Sequence, residues 1–210
     1  ILIVLIKRLI MNILTHKTYI LASSSKSRKF ILKNCGLKFK QVKPECDEEV
    51  IKKRIKRVLK PVNIAKTLSY EKARSLSIKK EYYKDYVIGC DTLIYLDKRV
   101  FDKAKNMNEA RNKLIKLSGK THKIVSGLTI CREGKKIWQT SETTTVKIRK
   151  LKLSQIEQYL KKTGKQILNS VGCYQIEALG PSIIENIKGD FFNVLGLPLF
   201  KLLRYVSKIK

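Results

Sequence analysis

The chain has 210 residues, 43% of them hydrophobic, which suits one domain or a two-lobed one with a substantial core and excludes a disordered chain. Lys and Arg number 46 against 17 Asp and Glu, a net charge of +29 that attracts polyanions. Lys and Ile recur along the whole chain, so the charge reads as compositional drift more than as a dedicated nucleic-acid surface. Five single cysteines and two histidines, none at metal-ligand spacing, argue against a zinc site or a disulfide framework and fit a reducing compartment.

Ile1 to Ile6 are apolar, but Lys7 and Arg8 end the run far short of the ~20 residues that a bilayer span needs. No small-residue cleavage site follows. Met11 is a candidate start that makes residues 1–10 an extension, and we set an N-terminal extension at 1–16 ahead of one domain at 17–207.

Thr18 to Ala22 reads as a strand running into Ser23-Ser24-Ser25-Lys26-Ser27-Arg28 and a helix over Lys29–Asn34 that Gly36 stops. A strand, a Ser-rich turn and a helix start gather N–H groups, hydroxyls and the positive helix end, and Arg28 can clamp an anion. The plain alternative is an N-cap on a solvated basic helix. Phe39–Val42 is a short strand. Glu45, Asp47, Glu48 and Glu49 then form the one acidic cluster, able either to hold a divalent cation or to cap the helix beginning near Glu48.

A basic helical stretch reaches Lys60, and after Pro61 an amphipathic helix covers Asn63–Lys80 with Lys72 within it. Val87 to Ile94 is an apolar run broken by Asp91, two residues after Gly89. A carboxylate there is costly unless a cation or a catalytic task compensates it, although capping the following turn would also explain it. A hairpin follows through Asp97-Lys98 to Val100-Phe101, and Asp102-Lys103-Ala104 leaves the sheet.

Met107–Leu117 is a helix closed by Ser118-Gly119. Ile124–Cys131 and Ile137–Ile148 are two long strands joined at Glu133-Gly134. Leu153–Lys161 is a helix with Ser154 as N-cap. Ser170–Ile176 is strand-like, Asp190 is either an N-cap or a ligand, and Leu199–Val206 closes the chain as a helix. Tyr174 and Phe192 read as core or wall. Strands and helices alternate without a repeat, giving a mixed α/β domain around a twisted sheet.

Eight short motifs stand in order between about Ile20 and Tyr205. They are Leu21-Ala22-Ser23-Ser24-Ser25-Lys26-Ser27-Arg28, Cys46-Asp47-Glu48, Glu71-Lys72-Ala73, Gly89-Cys90-Asp91-Thr92 and Asp102-Lys103-Ala104. Leu117-Ser118-Gly119-Lys120-Thr121-His122, Val171-Gly172-Cys173-Tyr174-Gln175-Ile176-Glu177-Ala178 and Ile187-Lys188-Gly189-Asp190 through Gly196-Leu197-Pro198 complete the set.

Together they resemble the Maf family of nucleoside triphosphate pyrophosphatases. The resemblance implies a mixed α/β, two-lobed fold of the inosine triphosphate pyrophosphatase type, a twisted mixed sheet with flanking helices and a cleft between lobes. It implies hydrolysis of the α–β phosphoanhydride of a nucleoside triphosphate, of a standard pyrimidine or modified base, to the monophosphate and pyrophosphate. Such an enzyme, a hydrolase of acid anhydrides, would serve nucleotide metabolism by house-cleaning of the pool. Asp91 would be the catalytic acceptor. Ser23, Ser25, Arg28, Lys72 and Lys103 would bind phosphate, and Glu48 with Asp91 would hold Mg2+ or Mn2+. The resemblance further implies a cytoplasmic protein, often a homodimer, with no membrane and no specific nucleic-acid partner.

Three positions depart from the family's patterns. Members acting on dTTP and UTP carry Arg, Thr and Gln at positions 27, 92 and 177, and those acting on 7-methyl-GTP carry Trp, Gln and Glu. This chain carries Ser27, Thr92 and Glu177, matching neither set, so base preference stays open. The contrasting reading, prompted by the charge, is a non-enzymatic nucleic-acid-binding or cell-division factor on the same fold. Against it stands the lack of any helix-turn-helix, zinc-finger or RNA-binding motif.

Overall fold

A computed structural model describes residues 17–56, 58–97 and 99–209. The N-terminal extension at 1–16, with its apolar opening and the candidate start at Met11, and Lys98 of the expected hairpin turn lie outside the described residues.

Strand β1 (Tyr19–Ala22) is buried on both faces, as its unbroken apolar sequence requires. It pairs in parallel with β2 (Phe39–Val42), Tyr19 opposite Phe39, and with β3 (Tyr86–Leu96), Tyr19 opposite Tyr86. Strand β4 (Arg99–Phe101) folds back antiparallel on β3. With β5 (Thr121–Arg132), β6 (Lys135–Ile148) and β7 (Ile184–Lys188) they make a seven-stranded mixed sheet, ordered β2-β1-β3-β5-β6-β7 with β4 on β3. The mixed α/β class expected from alternation is the class observed.

Seven α-helices accompany these strands among the described residues: α1 (Lys26–Asn34), α2 (Glu48–Ile55), α3 (Pro61–Ser77), α4 (Met107–Leu117), α5 (Leu153–Thr163), α6 (Phe191–Val194) and α7 (Leu199–Val206). None is long and apolar enough to cross a membrane.

The chain divides into two compact units. One comprises residues up to Asp91, Gly127–Ser141 and the chain from Gly196; the other comprises Thr92–Ser126 and Glu142–Leu195. In the first, α3 starts at Pro61, where a missing N–H costs nothing, and buries Ile64, Leu68, Ala73 and Leu76. It lies hard against the sheet because two strand residues there lack side chains. A Cβ on Gly89 would stand 2.1 Å from the Ser69 carbonyl oxygen, and one on Gly127 2.2 Å from that of Ala65. In the second unit, α4 and α5 cover a core that includes Ile94, Leu114, Ile124, Val146 and Tyr159.

Several expected boundaries move. Helix α1 begins three residues early, at Lys26, because Ser25 caps it by accepting from the Arg28 N–H. Helix α2 ends at Ile55 and α3 at Ser77, short of Lys60 and Lys80. Ser154 lies inside the first turn of α5; Lys152 holds the cap position, and its N–H donates to the Gln155 side chain. Ser170–Ile176 forms no strand. Cys173 adopts φ 55°, and Tyr174 turns inward so closely that a Cβ on Gly172 would stand 2.4 Å from its ring. Burial of that ring overrides the local strand pattern.

Candidate active site

Side chains alternate along a strand, so Gly89 and Asp91 share one face of β3. Ser69 and Ala73 of α3 press on Gly89, which brings Lys72, one turn beyond Ser69, over Asp91. Lys72 Nζ donates to Asp91 Oδ1 at 2.6 Å and pairs with Glu48 Oε2 at 2.8 Å. Lys72 and Asp91 are 6% and 5% exposed, whereas the Glu48 side chain is 39% exposed. Burial alone would lower the Lys72 pKa. The Asp91 and Glu48 charges and the Asp91 hydrogen bond outweigh that burial and the opposing Arg28 guanidinium, and hold it above the ordinary lysine value.

Asp91 Oδ2 is buried and has no hydrogen-bond partner. A buried carboxylate oxygen is costly to leave unpaired, which makes Asp91 a candidate site residue.

The acidic cluster divides its work. Asp47 caps α2, accepting from the Val50 N–H at 3.0 Å, Glu45 pairs with Lys79, and Glu48 joins Lys72. Among the described residues no group of three or more His, Cys, Asp or Glu could hold a metal, so the cluster does not form one cation cage. What does fit a hard divalent cation is the pair Glu48 and Asp91. Both offer carboxylate oxygens, one of them unpartnered, and Mg2+ is commonly held by one or two carboxylates together with water and substrate phosphates.

The Ser-rich turn is tightly organised. Ser23 Oγ accepts from the Ser25 N–H at 3.2 Å and from Arg28 Nη1 at 3.1 Å, while Arg28 Nε donates to the Gly196 carbonyl at 2.8 Å. Arg28 is thus a buried residue, unlike the solvated helical arginine of the plain reading. Gln41 of β2 reaches across and donates to the Ser23 and Ser25 carbonyls at 2.7 and 3.2 Å. Sequence reasoning missed Gln41, since a lone Gln in a short strand carries no signal. Ser27 sits half-buried in the first turn of α1.

Of the remaining expected site residues, Lys103, Thr92 and Glu177 belong to the other unit. Lys103 is exposed on the segment after β4. Thr92 Oγ1 lies 2.8 Å from Ser126 Oγ, and Glu177 is exposed with Tyr159 in electrostatic range. Asp190 caps α6, accepting from the Phe192 N–H at 2.8 Å, and Tyr174 lies in the core, its hydroxyl 2.6 Å from His122 Nε2.

A family model described as Maf-like protein matches residues 18–209. The chain belongs to the Maf family. Among curated relatives, the 7-methyl-GTP pyrophosphatase of Bartonella quintana is 40% identical over 186 residues, spanning 89% of this chain and 92% of that protein. The nucleoside triphosphate pyrophosphatase of Caulobacter vibrioides is 37% identical over 187 residues, with the same shares of the two chains. That of Legionella pneumophila is 38% identical over 197 residues, 94% of this chain and 96% of its own. Relatives of both printed names thus stand at similar distances from this Maf protein.

Proposed function

We propose that this Maf protein is a nucleoside triphosphate pyrophosphatase that hydrolyses the α–β phosphoanhydride to a nucleoside monophosphate and pyrophosphate. The observation that carries the reading is the buried Asp91, one oxygen held by Lys72 and the other without a partner. Asp91 Oδ2 accepts a hydrogen bond from the attacking water and takes its proton as the water oxygen bonds to the α-phosphorus. The bond from that phosphorus to the bridging oxygen breaks, and pyrophosphate leaves with the electron pair.

Charge builds on the departing pyrophosphate, and fixed cations are the natural answer to it. Lys72 and Lys103 supply them. Lys72 ties the two carboxylates together, and incoming phosphates compete for its ammonium. Arg28, anchored on Gly196, adds charge beside the Ser-rich turn. Ser23 already accepts two hydrogen bonds through its oxygen, which leaves its proton to donate to a phosphate. Ser25 caps α1 at the same turn. Glu48 and Asp91 would hold Mg2+ or Mn2+, which when bound supplies charge neutralisation and Lewis-acid polarisation at the phosphates.

The substrate in this reading is a standard pyrimidine or modified triphosphate, chosen by Ser27, Thr92 and Glu177. The role is house-cleaning of a cytoplasmic nucleotide pool by a monomer or homodimer. Purified protein with Mg2+ or Mn2+ should release pyrophosphate, and no orthophosphate, from at least one of UTP, dTTP, CTP, GTP or a methylated nucleotide. Asp91→Asn should lower that rate by about 10²–10⁴-fold while leaving the fold intact, the range for loss of one acid–base group. An inactive protein whose binding to DNA or RNA weakens steeply with salt would instead support the reading prompted by the +29 charge.

A further inference from the structure

Two lysines are buried among the described residues, Lys72 and Lys113. The first has its place in the site above, whereas the second has none. Lys113 lies on α4 beside Ala110, Leu114 and Leu117, against the core of its unit. Its ammonium donates to the carbonyl of Asp102 and, at 3.0 Å, to that of Val171. Burial pulls its pKa below the ordinary lysine value, against the opposing influence of Cys173, Asp102 and Glu109.

An ammonium in such a position is expensive, and a Met or Leu would fill the same space without desolvation. Its partners show what the charge accomplishes. The carbonyl oxygen of Asp102 and the N–H of Lys103 belong to one rigid peptide plane. Holding that oxygen therefore fixes the direction in which the chain enters Lys103. The Val171 carbonyl likewise fixes the plane leading into Gly172 and the turn through Cys173, whose φ of 55° is a strained conformation for a side-chain-bearing residue.

We propose that Lys113 is a positioning residue that clamps the Asp102 and Val171 carbonyls and so presents Lys103 to the triphosphate. The proposal rests on Lys103 being a triphosphate ligand. Lys103 is exposed and follows a three-residue strand, and the peptide plane that Lys113 holds is the one through which the chain enters it. The same ammonium braces the start of the segment that carries Glu177.

The test compares Lys113→Met, which keeps the packed stem, with Lys113→Arg, which keeps the donors, and Lys103→Ala. Amide exchange in Lys113→Met should quicken by about tenfold at Lys103, Ala104, Gly172 and Cys173, with Leu114 and Leu117 unchanged. The KM for the triphosphate should rise by about five- to tenfold with kcat nearly constant, the pattern of lost uniform binding, and Lys113→Arg should restore part of it. Uniformly faster exchange with no change in KM would mark a merely structural lysine and overturn the proposal. Unchanged exchange at both segments would overturn it too. Should Lys113→Met fail to fold, Lys113→Gln takes its place in the same exchange and KM readings, and unchanged exchange at both segments there rejects the clamp. If Lys103→Ala also leaves KM at the wild-type value, the reading of Lys103 fails and takes the clamp's functional role with it. Loosened segments with unchanged KM, where Lys103→Ala does raise KM, refute the positioning role alone.

Discussion

Asp91–Lys72–Glu48 and His122–Tyr174 are both buried polar clusters, yet they are built on opposite plans. The first is ionic, matches two carboxylates to one ammonium, and keeps Glu48 partly in water. The second is neutral and sits wholly inside an apolar core, with His122 1% and Tyr174 4% exposed. Burial holds the His122 pKa down to about 4 and drives that of Tyr174 above its ordinary value. The lesson is that burial alone does not identify a reactive site. A charged cluster with a partly solvated member and an unpartnered oxygen can exchange partners, whereas a neutral pair locked among hydrocarbon holds a shape.

The largest effect that would break this contrast comes from Lys72→Met. It leaves Asp91 as a buried charge without its cation, so stability should fall by about 3–5 kcal/mol, read from denaturant unfolding. If the cluster is ionic in the way described, Lys72→Met/Asp91→Leu should regain most of the loss, since removing both charges also removes the desolvation penalty. A double variant no more stable than the single one would show that packing, not charge, dominates there. The raised Lys72 pKa means that its stabilising contribution is complete below the ordinary lysine value and is lost only as pH climbs beyond it.

The neutral cluster should respond to acid instead. His122 titrates at about 4 in the fold against 6.5 when unfolded, so the unfolded chain binds the proton first. Its contribution is complete above pH 6.5 and is lost as pH falls through about 4, amounting to about 3 kcal/mol over that window. Stability measured between these limits should decline in the wild type with a slope that His122→Gln lacks. An identical slope in both proteins would place the acid sensitivity elsewhere.

How much of this was legible in the sequence follows the range of the interactions. The hairpin after Asp91, α4 and α7 were placed almost to the residue, because alternation, helical period and caps are local signals. The link between Asp91, Lys72 and Glu48 was anticipated only through motifs, since 43 residues separate Glu48 from Asp91 and no spacing rule spans them. Ser170–Ile176 misled because its apolar alternation is real, yet Tyr174 spends it on a contact with His122, 52 residues away. Gln41 and Lys113 gave no sign at all. A polar residue in a strand or helix reads as solvated until the fold shows it turned inward.

The smallest effect makes the sharpest separation within the neutral cluster. Tyr174→Phe keeps the ring that stands against Gly172 and removes only the hydroxyl 2.6 Å from His122 Nε2. It opens no cavity, but it leaves His122 with both ring nitrogens unpartnered, because Nδ1 already has no hydrogen bond. The cost should be about 1–2 kcal/mol, a fall of a few degrees in Tm. The acid slope should nevertheless survive, since desolvation by the surrounding core, and not the tyrosine, depresses the His122 pKa. Tyr174→Phe and His122→Gln should therefore lose comparable stability near neutrality and diverge as pH falls below 6.5. Parallel pH profiles for the two variants would mean that the hydroxyl, not burial, keeps His122 neutral, and the cluster would then be a hydrogen-bond switch of the kind reserved above for the ionic site.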